Sequence, residues 1–134
     1  LFMASFLQYM LPGAPSIYYG DEAGMEGHRD PFNRRTFPWG REDTELQDHF
    51  RQLGQLRKDL PQLRTGDIRF FEAGDRHLGF TRSLNGKTLW IYVNRSEDPW
   101  SVGPGSVRMG RNLQLVAPDG NILAPRGFCV LEQA

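Results

Sequence analysis

Pro12-Gly13-Ala14-Pro15-Ser16-Ile17-Tyr18-Tyr19-Gly20-Asp21-Glu22-Ala23-Gly24-Met25, continuing as Glu26-Gly27-His28-Arg29-Asp30-Pro31-Phe32-Asn33-Arg34-Arg35-Thr36-Phe37-Pro38-Trp39-Gly40, is the stretch whose reading decides the fold. Ala14 to Tyr19 is a short apolar run between Pro15 and Gly20, which suits a fully buried strand. From Gly20 to Gly40 neither a helical nor a strand period persists, and Gly and Pro punctuate the segment throughout. Loops this long within a domain are uncommon and tend to be functional. This one crowds carboxylates, guanidinium groups and aromatic rings together, which is what a flat, hydroxyl-rich ligand requires.

Upstream, Phe2, Met3, Phe6, Leu7, Met10 and Leu11 fall at helical spacing and stop at the breaker Pro12-Gly13. Downstream, Thr44-Glu45-Leu46-Gln47 after Asp43 predicts a capped helix start. Leu46, Phe50, Leu53, Leu56 and Leu60 then form an apolar stripe that ends before Pro61. A helix, a tight turn and a buried strand make half of a βα repeat. One strand cannot form a sheet alone, so residues 1–62 are expected to complete a structure whose other strands lie elsewhere.

Past Thr65-Gly66 the pattern changes to short strands and turns. Ile68–Glu72, Leu78–Leu84, Thr88–Asn94, Leu113–Val116, Ile122–Leu123 and Phe128–Leu131 are predicted strands. They are separated by Gly74-Asp75, Asn85-Gly86, Pro118-Asp119-Gly120-Asn121 and Pro125-Arg126-Gly127. Asn85-Gly86 between two apolar runs predicts a type I′ hairpin. The segment reads as a small antiparallel sandwich.

Sixteen basic residues balance sixteen acidic ones, and no basic stripe is interleaved with aromatics, so the expected partners do not include nucleic acid. No apolar run approaches the ~20 residues of a membrane helix, so no membrane partner is expected. The apolar share of 39% argues against disorder. The lone Cys129 excludes an internal disulfide and gives no sign of an oxidising compartment.

Pro12 to Met25, followed by Asp30-Pro31-Phe32-Asn33-Arg34-Arg35 and Pro38-Trp39, closely resembles the last barrel strand and its loop in the α-amylase family of glycoside hydrolases. The short spacing from Gly20-Asp21-Glu22 to Asp30-Pro31-Phe32-Asn33-Arg34-Arg35 looks most like the neopullulanase, cyclomaltodextrinase and maltogenic amylase branch. Leu56 to Gly66 is similar to the last barrel helix. The module containing Val93-Asn94-Arg95 is similar to the C-terminal sandwich that follows it, so the resemblance covers essentially the whole chain.

The fold class implied is mixed: the last βα unit of a (β/α)8 TIM barrel over residues 1–62, then a small antiparallel all-β sandwich over 66–134. The implied chemistry is retaining hydrolysis or transfer at α-glucosidic bonds by two carboxylates about 5–5.5 Å apart. In the family those carboxylates, and a third aspartate in an Asn-His-Asp type motif, lie on earlier strand ends. No Asn-His-Asp occurs here, so the chain is expected to carry no catalytic residue and no activity of its own. Its partners would be an α-glucan oligosaccharide and the N-terminal part of the barrel.

Asp30 and Arg34 are the candidate substrate-binding residues, because the matching pair in this branch hydrogen-bonds sugar hydroxyls. A carboxylate accepts and a guanidinium donates in a fixed fork, so together they can grip a vicinal diol. Equally, they can brace the turn around Pro31, and both roles are compatible. Glu22, Phe32 and Trp39 are candidate rim contacts, set against loop-amide bonding for Glu22 and hydrophobic pegging for the rings. Asp21 and Glu22 are adjacent and point apart, which disfavours them as a catalytic pair. Tyr18 and Tyr19 are likewise expected on opposite sides of the strand.

No cofactor is expected. The carboxylates near His28 leave Ca2+ as the one metal reading open, although neither an EF-hand alternation nor a His pair is present. His49 and His77 read as surface groups, and Cys129 as a buried small hydrophobe. Trp90 and Trp100 raise an alternative in which residues 66–134 are a non-catalytic carbohydrate-binding or structural module, with Trp90 expected buried and Trp100 exposed.

Overall fold

The computed structural model describes residues 1–116 and 120–133. Its elements run α1 (Phe2–Met10), a short 3-10 turn (Asp21–Ala23), α2 (Thr44–Asp59), α3 (Pro61–Thr65), and six strands. The strands are β1 (Asp67–Ala73), β2 (His77–Leu84), β3 (Lys87–Asn94), β4 (Trp100–Val102), β5 (Ser106–Val116) and β6 (Gly120–Gln133).

Helix α2 forms where the stripe predicts. Its cap is Asp43, whose carboxylate accepts from the Leu46 amide at 3.1 Å, while Arg57 and Lys58 sit at the negative end. Leu46, Phe50, Leu53, Leu56 and Leu60 are all buried. Pro61 does more than stop the helix: at a first helical position its missing N–H costs nothing, and α3 starts there.

All six strands belong to one antiparallel sheet in the order β1-β2-β3-β6-β4, with β5 running along β6. The β2–β3 hairpin closes with Leu84 opposite Lys87, and both Asn85 (φ 52°) and Gly86 (φ 77°) are left-handed, as a type I′ turn requires. Period-2 alternation divides the sheet into two faces. Phe80, Leu89, Ile91, Val93, Phe128 and Val130 join Phe6, Met10, Leu53 and Leu63 of the helices in one continuous core. On the other face Tyr92, Val102, Leu123, Cys129 and Leu131 form a second core, with Trp90, Trp100 and Leu113 packed against it.

Two expectations differ from the structure. Within this chain Ala14 to Tyr19 forms no strand: the segment has no ladder partner among the described residues, and Ile17, Tyr18 and Tyr19 are exposed. The reason is the one that governs any single strand, since its N–H and C=O groups need a neighbour. Pro125-Arg126-Gly127 does not separate two strands but kinks the single strand β6. Arg126 is left-handed there (φ 61°), and a side chain on Gly127 would meet the Arg111 carbonyl at 2.9 Å. The N-terminal half of β6 pairs with β4, its C-terminal half with β3, and β5 follows both. Strand β4 and the first part of β5 carried too little apolar alternation to be foreseen. The predicted turn at Pro118-Asp119-Gly120-Asn121 lies partly outside the described residues.

The connection from β3 to β4 is fixed by Asn94, which is fully buried. Its amide donates to the carbonyls of Asp98 (2.8 Å) and Leu123 (2.9 Å), and its oxygen accepts from Ser96 N and Oγ. Buried polar groups need such partners, so one side chain ties the loop to the kinked strand.

Candidate functional site

The loop from Gly20 to Gly40 is held from below by two tyrosines. Tyr18 Oη donates to the Asn33 carbonyl at 3.1 Å and Tyr19 Oη to the Arg35 carbonyl at 2.7 Å. Their rings lie 4.9 Å apart on the same side, not on opposite sides as strand geometry would place them. The absence of a ladder releases the alternation, and both phenols turn toward the loop.

Asp30 and Arg34 come together at its tip. Arg34 Nε lies 3.1 Å from an Asp30 carboxylate oxygen, and the side chains are 62% and 70% exposed. An ion pair this open contributes little to stability, about 0–1 kcal/mol, so bracing the turn is at most a minor role. The Arg34 amide donates to the Pro31 carbonyl at 3.0 Å and closes the turn by itself. Both side chains are open to solvent, with guanidinium donors and a carboxylate acceptor to offer a ligand.

A pocket of about 330 Å³ is lined by Tyr18, Asp21, Glu26, His28, Phe32 and Arg35, among others, but by neither Asp30 nor Arg34; Arg34 lines a second, more open cavity of about 670 Å³ with Ala23, Glu26, Arg35 and Arg41. Phe32 is 61% exposed, so of the three rim candidates it is the one that reaches the first pocket. Glu22 points away: it accepts from the Gly20 amide at 3.0 Å and lines a separate cavity with Tyr9, Tyr19 and Arg51. Asp21 and Glu22 therefore line different cavities. Trp39 is 81% exposed, leans on Phe37 at 4.6 Å and lines none of these cavities. Among the described residues no three His, Cys, Asp or Glu side chains gather as metal ligands.

Of the two histidines read as surface groups, His49 is buried and His77 half-buried. His49 Nε2 lies 3.0 Å from Ser5 Oγ and 3.1 Å from the Phe2 carbonyl, and Phe2 and Phe128 meet its ring edge-on. Burial, against the Phe2 hydrogen bond and with help from Arg111, lowers its pKa. Its position on α2 next to Phe50, within the i, i+3, i+4 stripe, was the signal available in the sequence. His77 stacks flat on Trp100 at 4.2 Å and 3°. That stack, with Tyr92 edge-on at 5.4 Å, covers the ring expected to be exposed. Trp90, expected buried, is half-buried and packs against Phe71 at 5.3 Å, and Trp100, expected exposed, is half-buried as well. Cys129 is fully buried, and burial pushes its thiol up to about 12.

Comparison with known proteins bears on this arrangement. No protein-family model matches the chain. It is 52% identical over 86 residues, 63% of its length, to the amylopullulanase of Thermoanaerobacter thermohydrosulfuricus, of which it covers 6%. It is 40% identical over 95 residues, 68% of its length, to the cyclomaltodextrinase of Geobacillus thermopakistaniensis, of which it covers 16%. Among solved structures, the debranching enzyme of Nostoc punctiforme superposes on 98% of this chain with a TM-score of 0.83 and 30% identity, the chain covering 28% of it. The chain thus spans less than a fifth of these two curated relatives. It belongs to the α-amylase family of glycoside hydrolases, and its antiparallel sheet matches the C-terminal domains of those enzymes.

Proposed function

We propose that this chain is the C-terminal portion of an enzyme that acts on α-glucosidic bonds of maltooligosaccharides, cyclodextrins or starch-like glucans by a retaining mechanism. Residues 1–62 supply the last βα unit of its TIM barrel, and residues 66–134 supply its C-terminal sandwich. The loop after Tyr19 is one wall of the cleft, since barrel enzymes place their sites on loops after the strands. The bond-breaking carboxylates belong to earlier strands. The exposed Ile17, Tyr18 and Tyr19 suit a face that further strands cover.

The observation that carries this reading is the Asp30–Arg34 pair: 3.1 Å apart and open to solvent, with Arg34 on the wall of a cavity it shares with Glu26 and Arg35, residues that also line the pocket edged by Phe32 and Tyr18. Asp30 accepts from one hydroxyl of a terminal glucose while the Arg34 fork donates to its neighbour, and Phe32 offers an apolar ring face. These contacts hold the sugar without touching the scissile bond, so they act on binding more than on chemistry. The purified 134-residue chain, incubated with cyclodextrin, pullulan and starch, should release no reducing sugar. Turnover by this chain that disappears in Asp21→Asn or Glu22→Gln would contradict the assignment.

A further inference from the structure

Among the described residues Arg82 is the largest fully buried side chain, yet it has no carboxylate partner within ion-pair distance there. Taking a cation out of water costs several kcal/mol unless other groups meet its charge. Here carbonyls meet it. Nη1 donates to the Met10 carbonyl at 2.7 Å and Nη2 to the Gly66 carbonyl at 3.1 Å, while Nε is unpartnered. Phe80 and Leu78 on the same face of β2 pack in the same apolar core, so the position itself does not demand an arginine.

What the arginine reaches is the carboxyl end of α1, where the last carbonyls lack intrahelical donors and the helix dipole is negative. Arg57 of α2 reaches the same end, donating to the carbonyls of Tyr9 (2.6 Å), Leu11 (3.4 Å) and Gly13. Two guanidinium groups from two elements therefore fix α1 where the chain turns toward the loop. From α1 the contact continues outward: Gln8 Nε2 donates to the Ser16 carbonyl at 2.5 Å, and Tyr18 and Tyr19 carry residues 33 and 35.

We propose that Arg82 is a positioning residue: by clamping the carboxyl end of α1, the β-sheet domain sets the placement of the loop that carries Asp30 and Arg34. As to what the loop binds, this rests on the reading of that loop as a sugar-contacting wall. The clamp explains why the sheet spends a buried charge on a residue 72 positions upstream of it.

The test is amide hydrogen exchange on the 134-residue chain and its Arg82→Met and Arg82→Lys variants. Lysine keeps the charge but cannot fork to Met10 and Gly66 together. The amides to follow are Met25 and Arg34, which donate to the Gly20 (2.9 Å) and Pro31 (3.0 Å) carbonyls, far from Arg82 in sequence. Exchange there should quicken about tenfold in Arg82→Met and less in Arg82→Lys, with the β3 and β6 amides unchanged. Acceleration shared equally by the sheet, loss of the sheet in both variants, or an unchanged loop would overturn the proposal. No sugar enters the measurement, so its outcome is independent of whether the loop binds a glucan.

Discussion

The Tyr19 hydroxyl donates to the Arg35 carbonyl across 2.7 Å, one residue from the guanidinium that pairs with Asp30. Tyr18 makes the parallel bond to Asn33 at 3.1 Å, so two neighbouring phenols suspend both sides of Arg34. A segment with no ladder of its own thereby fixes the backbone of the proposed sugar contact.

Replacing both phenols, as Tyr18→Phe with Tyr19→Phe, should leave the two cores intact and free the loop. Each solvent-accessible hydrogen bond is worth about 0.5–1.5 kcal/mol, so the melting temperature should fall only slightly. Limited proteolysis should cut between residues 26 and 36 faster than in the parent chain. Equal cleavage rates would mean that the loop is held by other contacts.

His49 makes stability depend on pH in a defined direction. Burial lowers its folded pKa, so between that value and the ordinary one the unfolded chain binds more protons. The contribution is complete above about pH 6.5 and is lost as the pH falls below it toward the lowered folded value. Thermal unfolding at pH 7.5 and pH 5 should show a larger loss for the parent than for His49→Gln. An identical loss would show that His49 takes up its proton without disturbing Ser5 and Phe2.

Cys129, with its thiol pushed up to about 12 and no exposed surface, should stay inert to an aromatic disulfide reagent at pH 8 in the folded chain. It should react completely once guanidinium unfolds the protein. Labelling of the native chain at a rate independent of denaturant would mean that the second core opens locally around β6.

Local signals were legible in the sequence where one residue or one period decides the outcome. The stripe from Leu46 to Leu60 has one helical solution, and Asn85-Gly86 has one turn that suits it. The kink in β6 was not legible because Pro125-Arg126-Gly127 serves equally as a turn or as a bend within a strand. Only pairing with β5 on one side and with β3 and β4 on the other distinguishes them. Arg82 was hidden for a related reason, since its partners at Met10 and Gly66 are remote and a polar residue in a strand reads as solvent-facing. At the site, the resemblance carried Asp30 and Arg34 to one place, and the structure brings them to 3.1 Å. The side on which Glu22 and the two tyrosines fall depended on a strand that does not form within this chain, and alternation placed the tyrosines wrongly.

The role of this loop as a substrate wall requires that Asp30 and Arg34 hold sugar. Steady-state kinetics of the full-length enzyme carrying this segment, on a maltooligosaccharide series, measures that directly when Asp30→Ala and Arg34→Ala are compared with the parent. Loss of a charged hydrogen bond of about 1.5–3 kcal/mol should raise KM by about tenfold or more in each variant, with kcat little changed. An unchanged KM in both variants, or a fall in kcat alone, would contradict the assignment of this loop as a substrate-binding wall.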